Sequence, residues 1–220
     1  MSIDADGGRF ADRIDAGRRL ASELRDRGNE ADIVLAIPRG GVPVGRPVAD
    51  ALDVPLDVVV ASKIGAPDNP EYAIGAVASD GSAWFDEGSI DRLGVSDVYV
   101  DRGRNREAAA AREKASRYRN DGPVPNLSGR SVVVVDDGAA TGATAIAALR
   151  LVAAAGAERI VLALPVAPPD TIDRLEDHAD VDTVVALETP TQFRAVGAFY
   201  DRFDQVSDEE AMALLSDPDD

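Results

Sequence analysis

Residues 132–144 read VVVVDDGAATGAT, and they are the most informative part of the chain about its fold. Consecutive valines are typical of a parallel strand that is covered on both faces of its sheet. Asp136 and Asp137 come directly after the strand, and a loop of small residues then leads into an alanine-rich helix. Because open α/β sheets bind ligands beyond the carboxyl ends of their strands, we expect a binding site at this point.

The loop after the two aspartates has the composition of an anion-binding loop. Gly138 and Gly142 allow the backbone to approach a ligand closely. The free amides at the start of the following helix, together with the hydroxyls of Thr141 and Thr144, suit a phosphate monoester.

Asp136 and Asp137 are suited to accept hydrogen bonds from a diol or to face a developing cation. Two other motifs fit poorly, because no G-x-G-x-x-G follows the strand and no lysine follows Gly142 as in a P-loop. The alternative without a function is a tight turn with two solvated acids, which is an unusual end for a valine strand.

Strand and helix patterns alternate along the chain, which predicts a mainly parallel sheet with helices on both faces. The predicted strands are residues 33–37, 56–61, 73–78, 83–85, 131–135, 159–166 and 183–187. The predicted helices are residues 9–27, 42–52, 101–119, 143–155, 170–177 and 207–215, the last with a capping box from Ser207 and Glu210. Glycine, proline and asparagine predict a loop at residues 63–72, and residues 190–202 are expected to be irregular.

Composition excludes several classes of function. The net charge of −17 argues against a nucleic-acid partner, and the absence of cysteine excludes thiolate metal sites. His178 is the single histidine, and we interpret it as a surface residue rather than a catalytic or metal-binding one. No apolar run is long enough to span a membrane and no signal peptide is visible, so we expect a cytoplasmic protein without a membrane partner.

The acidic charge is supplied mainly by aspartate, and arginine replaces lysine except at Lys63 and Lys114. This pattern resembles the surface of a salt-adapted protein from a halophile, in which salt screens the repulsion among like charges. The alternative is an acidic protein with no adaptation to salt.

The stretch at residues 132–144 resembles the fingerprint of type I phosphoribosyltransferases, which bind 5-phosphoribosyl-1-pyrophosphate (PRPP). The resemblance implies that Asp136 and Asp137 hold the 2′- and 3′-hydroxyls of the ribose. It also implies that the 5′-phosphate is wrapped by Gly138, Ala139, Ala140, Thr141, Gly142, Ala143 and Thr144.

A loop after the first core strand and a lysine after the second strand also agree with this family. Arg39, Gly40 and Gly41 follow the first core strand, where the family places its pyrophosphate loop, and they offer a cation and two exposed amides. Lys63 follows the second predicted strand, where family members often carry a basic residue for the pyrophosphate. The alternative for Lys63 is a solvated loop residue.

The resemblance covers nearly the whole chain, with shared stretches at residues 37–45, 62–78, 127–144 and 187–200, and extends to members whose acceptor is unassigned. It implies the type I phosphoribosyltransferase fold, an α/β fold with a mainly parallel sheet, flanking helices and a small hood. We expect one domain over residues 1–220, with a core at about 30–187 and a hood from the N-terminal segment and residues 188–216. In this hood Phe193, Phe199 and Tyr200 either stack on an acceptor ring or belong to the core.

The implied reaction transfers the phosphoribosyl group from PRPP to a nitrogen nucleophile, such as a nucleobase, with release of pyrophosphate. Arg39 and Lys63 would assist departure of the pyrophosphate, and Mg²⁺ would be bound through PRPP rather than by direct protein ligands. The partners expected are PRPP, an unidentified acceptor and a second copy of the chain in a homo-oligomer, with a dimer as the first choice. A mobile lid would be residues 63–72 or the arginine-rich helix at 101–119, although we favour a solvated face for that helix.

Three features of the sequence bear on the acceptor. Ala140 stands where hypoxanthine/guanine enzymes carry an acid, and no lysine follows Lys114, so a 6-oxopurine is disfavoured. The absence of cysteine excludes a glutamine-dependent amidotransferase. Two alternatives remain on the same fold: a regulator that senses PRPP or nucleotides, and a hydrolase or phosphorylase acting on ribose phosphates.

Overall fold

A computed structural model describes residues 9–79, 81, 83–119 and 124–216. The strands of these ranges are β1 (Ile33–Ala36), β2 (Leu56–Val58), β3 (Ala61–Ala66), β4 (Asn69–Ala78), β5 (Ala83–Phe85), β6 (Ser131–Val135), β7 (Arg159–Val166) and β8 (Thr183–Glu188). The helices are α1 (Arg13–Asp26), α2 (Gly41–Leu52), α3 (Glu87–Leu93), α4 (Asp97–Arg119), α5 (Ala143–Ala154), α6 (Pro169–Glu176) and α7 (Asp208–Leu215), with a 3₁₀ turn at Val196–Phe199. The sequence also predicts a turn at Asp80-Gly81 and an acidic, disordered tail at residues 217–220, and both include residues outside the described ranges.

The main sheet has five parallel strands in the order β2-β1-β6-β7-β8. Alternate valines of β6 enter two different cores: Val133 and Val135 pack with α2, whereas Val132 and Val134 pack with α5. The sheet is therefore covered on both faces, as the valine run predicted, and the expected α/β fold with a parallel sheet is confirmed.

A second, antiparallel sheet is formed by β3, β4 and β5. The predicted loop at residues 63–72 was therefore wrong, because most of it forms the β3–β4 hairpin. The predicted strand at 56–61 also divides, since β2 ends at Val58 and β3 begins at Ala61. The pairing register shifts on both sides of Gly65, where a Cβ would lie 2.7 Å from the Cα of Pro70. Gly65 and Pro70 thus accommodate an irregular hairpin, although their composition is typical of loops.

The helices differ from prediction mainly between residues 87 and 100. Helix α3 was missed, although the Asp86 side chain caps it by accepting from the Ser89 amide at 3.0 Å, and Gly94 ends it at a φ of 62°. Helix α4 begins at Asp97 rather than at residue 101. The capping box of Ser207 and Glu210 at the start of α7 is confirmed.

The N-terminal helix and the segment after β8 meet at the carboxyl end of the main sheet. The Phe10 amide donates to the Phe199 carbonyl at 2.8 Å, and the Asp201 amide donates to the Phe10 carbonyl at 2.8 Å. The Phe10 and Tyr200 rings lie 5.2 Å apart and pack on Val166 of β7. This packing places the start of α1 next to the loop that follows β6. Within the described residues, no helix is both long and apolar enough to cross a bilayer.

Candidate functional site

The two loops predicted to bind PRPP lie in contact. Strands β1 and β6 are neighbours in the sheet, with Ala36 paired to Val135, so the loops leave the sheet side by side. A Cβ at Gly41 would lie 2.7 Å from the Val135 carbonyl oxygen, and a Cβ at Gly40 would overlap the Asp137 carboxylate. Gly41 therefore requires glycine, because its Cβ would meet backbone, whereas a side chain at Gly40 would displace the Asp137 carboxylate.

Arg39 lies in the first of these loops, after a cis peptide bond from Pro38. Its Nη1 is 3.6 Å from Oδ1 of Asp208 at the start of α7. The same Oδ1 accepts from the Tyr118 hydroxyl at 3.0 Å, and this hydrogen bond and the nearby Arg39 and Arg117 hold the pKa of Asp208 below its ordinary value. Burial and the hydrogen bond to Asp208 raise the pKa of Tyr118 to about 12. The end of α4 and the start of α7 thus restrain Arg39.

The loop at residues 138–144 is anchored on its inner side and open on its outer side. The Ala139 amide donates to the Val166 carbonyl at 3.0 Å, the Thr171 hydroxyl donates to the Ala140 carbonyl at 2.8 Å, and Gly142 has a φ of 72°. Thr141 and Thr144 are exposed. Because the bonds that anchor the loop do not use these hydroxyls, they stay accessible to an anion at the start of α5.

The Asp136 and Asp137 carboxylates share a crowded environment. Desolvation raises the pKa of Asp136 well above its ordinary value of 3.8, and the adjacent Asp137 raises it further. Desolvation also raises the pKa of Asp137, but Arg13 opposes the shift through an ion pair of 2.8 Å between Nε and Oδ2. Sequence reasoning missed Arg13, which lies 124 residues away in the chain, and we find no local signal that would have revealed it.

The aromatic residues of the expected hood form a packed cluster. Tyr200 is 4% exposed and its hydroxyl donates to the Asp137 carbonyl at 2.6 Å, so its ring is core and the proposed stacking on an acceptor is corrected for this residue. Phe193 and Phe199 stack on each other at 5.5 Å and are partly exposed, so their contact with an acceptor stays a prediction.

Lys63 follows β2 in the chain, as expected, and lies on β3 of the small sheet. It lines a cleft of about 640 Å³ between the small sheet and α5, together with Thr141, Thr144, Trp84 and Arg150. The Arg150 guanidinium carbon is 3.2 Å from the centroid of the Trp84 ring. The structure therefore places Lys63 in the same cleft as Thr141 and Thr144 of the phosphate loop, and its action on pyrophosphate stays a prediction.

The arginine-rich helix α4 is mainly a structural element. Gly103 packs on Ile64 of β3, and Arg106 pairs with Glu107 at 2.9 Å on the solvent side. Glu113 pairs with Arg117 at 3.4 Å on the same helix. His178 is partly buried, and its Nδ1 accepts from the Asp180 amide at 3.3 Å.

A parallel α/β sheet with an acid pair and a small-residue loop at its carboxyl end defines a class of proteins that bind phosphorylated ligands. Residues 9–198 match the sequence profile described as the phosphoribosyl transferase domain. The chain therefore belongs to the phosphoribosyltransferase family.

Relatives support this membership. Two proteins of Mycobacterium tuberculosis, named "Putative phosphoribosyl transferase" Rv0571c (strain H37Rv) and MT0597 (strain CDC 1551), are each 42% identical over 206 residues. The alignment covers 94% of this chain and 46% of those proteins, so the chain spans about half the length of these curated relatives. The crystal structure of TT1426 from Thermus thermophilus is 44% identical, with a TM-score of 0.85 over 94% of this chain and 98% of that chain.

Proposed function

We propose that this protein transfers the 5-phosphoribosyl group of PRPP to a nitrogen nucleophile and releases pyrophosphate. The observation that carries the proposal is the contact between the two predicted PRPP loops, where Gly40 lies against the Asp137 carboxylate. A ligand with a diol between two phosphate groups matches this arrangement, because an acid pair lies between a small-residue phosphate loop and a loop that carries Arg39.

In the proposed complex the Asp136 and Asp137 carboxylates accept hydrogen bonds from the ribose hydroxyls. The 5′-phosphate binds to the loop at residues 138–144, and the pyrophosphate binds to Arg39 and to the amide of Gly40. The expectation of two exposed amides is corrected at Gly41, whose amide already donates to the Ile37 carbonyl at 3.0 Å. When the bond from C1 to the pyrophosphate oxygen breaks, positive charge develops on the ribose and negative charge on the pyrophosphate. The carboxylates and Arg39 are placed to stabilise these two charges respectively.

Mg²⁺ would neutralise part of the negative charge on the pyrophosphate and so would favour its departure. Asp136 and Asp137, which we assign to the ribose hydroxyls, would reach this ion only through PRPP. Mg²⁺ is a hard cation that prefers oxygen ligands, and the oxygen atoms of PRPP and of water would supply them.

The acceptor is proposed only as a class. A nitrogen atom of a nucleobase is the first candidate, and Ala140 together with the lack of lysine after Lys114 disfavours 6-oxopurines. We also propose that the chain acts as one domain, since residues 9–26 and 196–215 both contact the site described above, and that it functions as a homodimer. The predominance of aspartate and arginine supports a cytoplasm rich in salt as its location.

The decisive experiment is incubation of the protein with PRPP, Mg²⁺ and a panel of nucleobases and other amines in molar KCl, with pyrophosphate as the measured product. Base-dependent release that is lost in Asp137→Asn would support the transferase. Release without any acceptor would indicate a hydrolase instead. PRPP binding in calorimetry without turnover on the panel would favour the PRPP-sensing regulator.

A further inference from the structure

Arg13 connects the candidate site to both terminal segments of the described chain. Its Nε donates to Asp137 Oδ2 at 2.8 Å, and its Nη1 donates to the Asp204 carbonyl at 2.8 Å. Its guanidinium carbon lies 3.7 Å from the centroid of the Phe203 ring. The Arg13 side chain is 11% exposed and that of Asp137 is 15% exposed, so water screens this ion pair poorly.

We propose that Arg13 is a positioning residue for PRPP, which holds Asp137 ionised and in one orientation so that the carboxylate receives the ribose hydroxyls. The inference rests on the proposed function and deepens it, because it names the residue that prepares the ribose-binding carboxylate. Arg13 would act through Asp137 and would not itself need to touch the substrate.

The acid pair is unfavourable when both carboxylates are ionised. Two adjacent carboxylates in a desolvated place repel each other, and one of them tends to bind a proton. A protonated Asp137 would lose one acceptor for the ribose hydroxyls and part of the charge that faces the developing cation. The Arg13 guanidinium opposes protonation of Asp137 by donating a charge-assisted hydrogen bond to it.

The other charged or titratable groups around Asp137 do not provide this effect. Asp136 is adjacent and repels it, and the Tyr200 hydroxyl donates to its backbone carbonyl rather than to its carboxylate. Arg39 of the adjoining loop is paired with Asp208. On the N-terminal side of α1, the neighbouring Asp12 is paired with Arg202.

The geometry also restricts the orientation of Asp137. Arg13 lies against one side of its carboxylate, and the Gly40 backbone lies against the same carboxylate. The planar fork of Arg13 is itself fixed by the Asp204 carbonyl and the Phe203 ring. A lysine would retain the charge but could not hold Asp137 and Asp204 through a rigid fork.

The test compares Arg13→Gln and Arg13→Lys with the control Arg27→Gln, which removes an exposed arginine paired with Glu23 at the end of the same helix. PRPP affinity with Mg²⁺ is measured by calorimetry from pH 5 to 8 in constant molar KCl. We expect Arg13→Gln to weaken PRPP binding by about tenfold or more at pH 7, the effect of losing one charge-assisted hydrogen bond. As the pH is lowered, Arg13→Gln should lose PRPP binding at a higher pH than the wild type does.

Arg13→Lys should lose half of its PRPP binding at a pH close to that of the wild type. Arg27→Gln should change neither the PRPP affinity nor this midpoint. A direct readout without PRPP is the ¹³C titration of the Asp137 carboxyl, assigned by its loss in Asp137→Asn. Arg13→Gln should raise the pKa of this carboxyl.

Three outcomes would overturn the proposal. The first is an unchanged pH profile and an unchanged carboxyl titration in Arg13→Gln. The second is a uniform loss of affinity at every pH together with lower thermal stability, which would indicate a structural role only. The third is a wild type that binds no PRPP at any pH, which would reject the proposed function and with it the role of Arg13 but not the ion pair itself.

Discussion

At the scale of single residues, the acid pair shows a conflict between stability and binding. Desolvation and mutual repulsion make the ionised pair unfavourable for folding, and Arg13 offsets part of this cost at Asp137. A protein without a ligand to bind has no reason to keep two carboxylates in such a place. The unfavourable electrostatics therefore support a binding role for the pair.

Substitution of Asp136 tests this conflict. The folded-state pKa of Asp136 lies above its ordinary value of 3.8, so its ionised form reduces the free energy of unfolding at neutral pH and has no effect once the pH falls below about 3.8. We expect Asp136→Asn to raise the melting temperature at pH 7, with a gain that disappears as the pH approaches 4, and to abolish PRPP binding. An amide oxygen can still accept from the Asp137 amide, so the fold should be retained.

Thermal unfolding at pH 7 and pH 4 in the same salt, combined with calorimetry, measures both effects. Asp26→Asn is the matched control, because Asp26 is exposed at the end of α1. An Asp136→Asn protein with wild-type PRPP affinity would contradict the assignment of the site.

Gly40 provides a second test at this scale. A Cβ at this position would overlap the Asp137 carboxylate, so Gly40→Ala must displace either this carboxylate or the loop that carries Gly40. We expect PRPP affinity to fall by about tenfold or more with a small loss of stability, because the clash lies at the edge of the core. Gly88→Ala is the control, since its Cβ would meet only Asp86 Oδ1 at 3.6 Å. Equal PRPP affinity in Gly40→Ala and the wild type would show that the loop contact is not needed for binding.

At the scale of elements, buried strands and capped helices could be predicted from the sequence. The strands β6 and β7 match their predicted bounds because each is a continuous apolar run buried on both faces. The hairpin of β3 and β4 could not be predicted, because its glycine and prolines are also typical of loops and its stability comes from packing on α4 and α5. The ion pair of Arg13 and Asp137 was equally hidden, since it depends on how α1 docks beside the carboxyl end of the sheet.

The small sheet brings Lys63 to the side of the phosphate loop, and this placement allows a kinetic prediction. If Lys63 stabilises charge that grows as pyrophosphate departs, Lys63→Ala should lower kcat by about tenfold or more and change PRPP affinity less. If it only binds the ground-state phosphate beside Thr141 and Thr144, affinity should fall and kcat should hold. Steady-state kinetics with an identified acceptor separates the two cases, and Lys114→Ala on α4 is the control for loss of a lysine. A wild-type rate and affinity would leave Lys63 as a surface residue.

At the scale of the whole molecule, both ends of the described chain contribute to one site. Helix α1 contributes Arg13, and α7 contributes Asp208, which pairs with Arg39. Asp137 and Arg39, which we assign to the substrate, are thus each already paired with a group from a terminal segment. This arrangement balances charge locally in a protein whose total charge is −17.

The total charge predicts that the thermal stability of the protein depends on salt concentration. At low ionic strength the excess aspartates repel one another over distances comparable with the radius of the protein, because the Debye length is about 10 Å at 0.1 M salt and about 3 Å at 1 M. The unfolded chain separates these charges, so screening should stabilise the folded state more than the unfolded one. We therefore expect the melting temperature to rise steadily between 0.1 M and 2 M KCl and activity to recover in molar salt.

The control is a sucrose series at matched osmolarity, because sucrose favours compact states through exclusion from the surface but does not screen charge. A rise in KCl that exceeds the rise in sucrose would assign the effect to screening of the acidic surface. A melting temperature that is flat between 0.1 M and 2 M KCl would reject the halophilic interpretation. It would leave the candidate site untouched, since the backbone amides and arginines that we assign to the phosphates are local features of the fold.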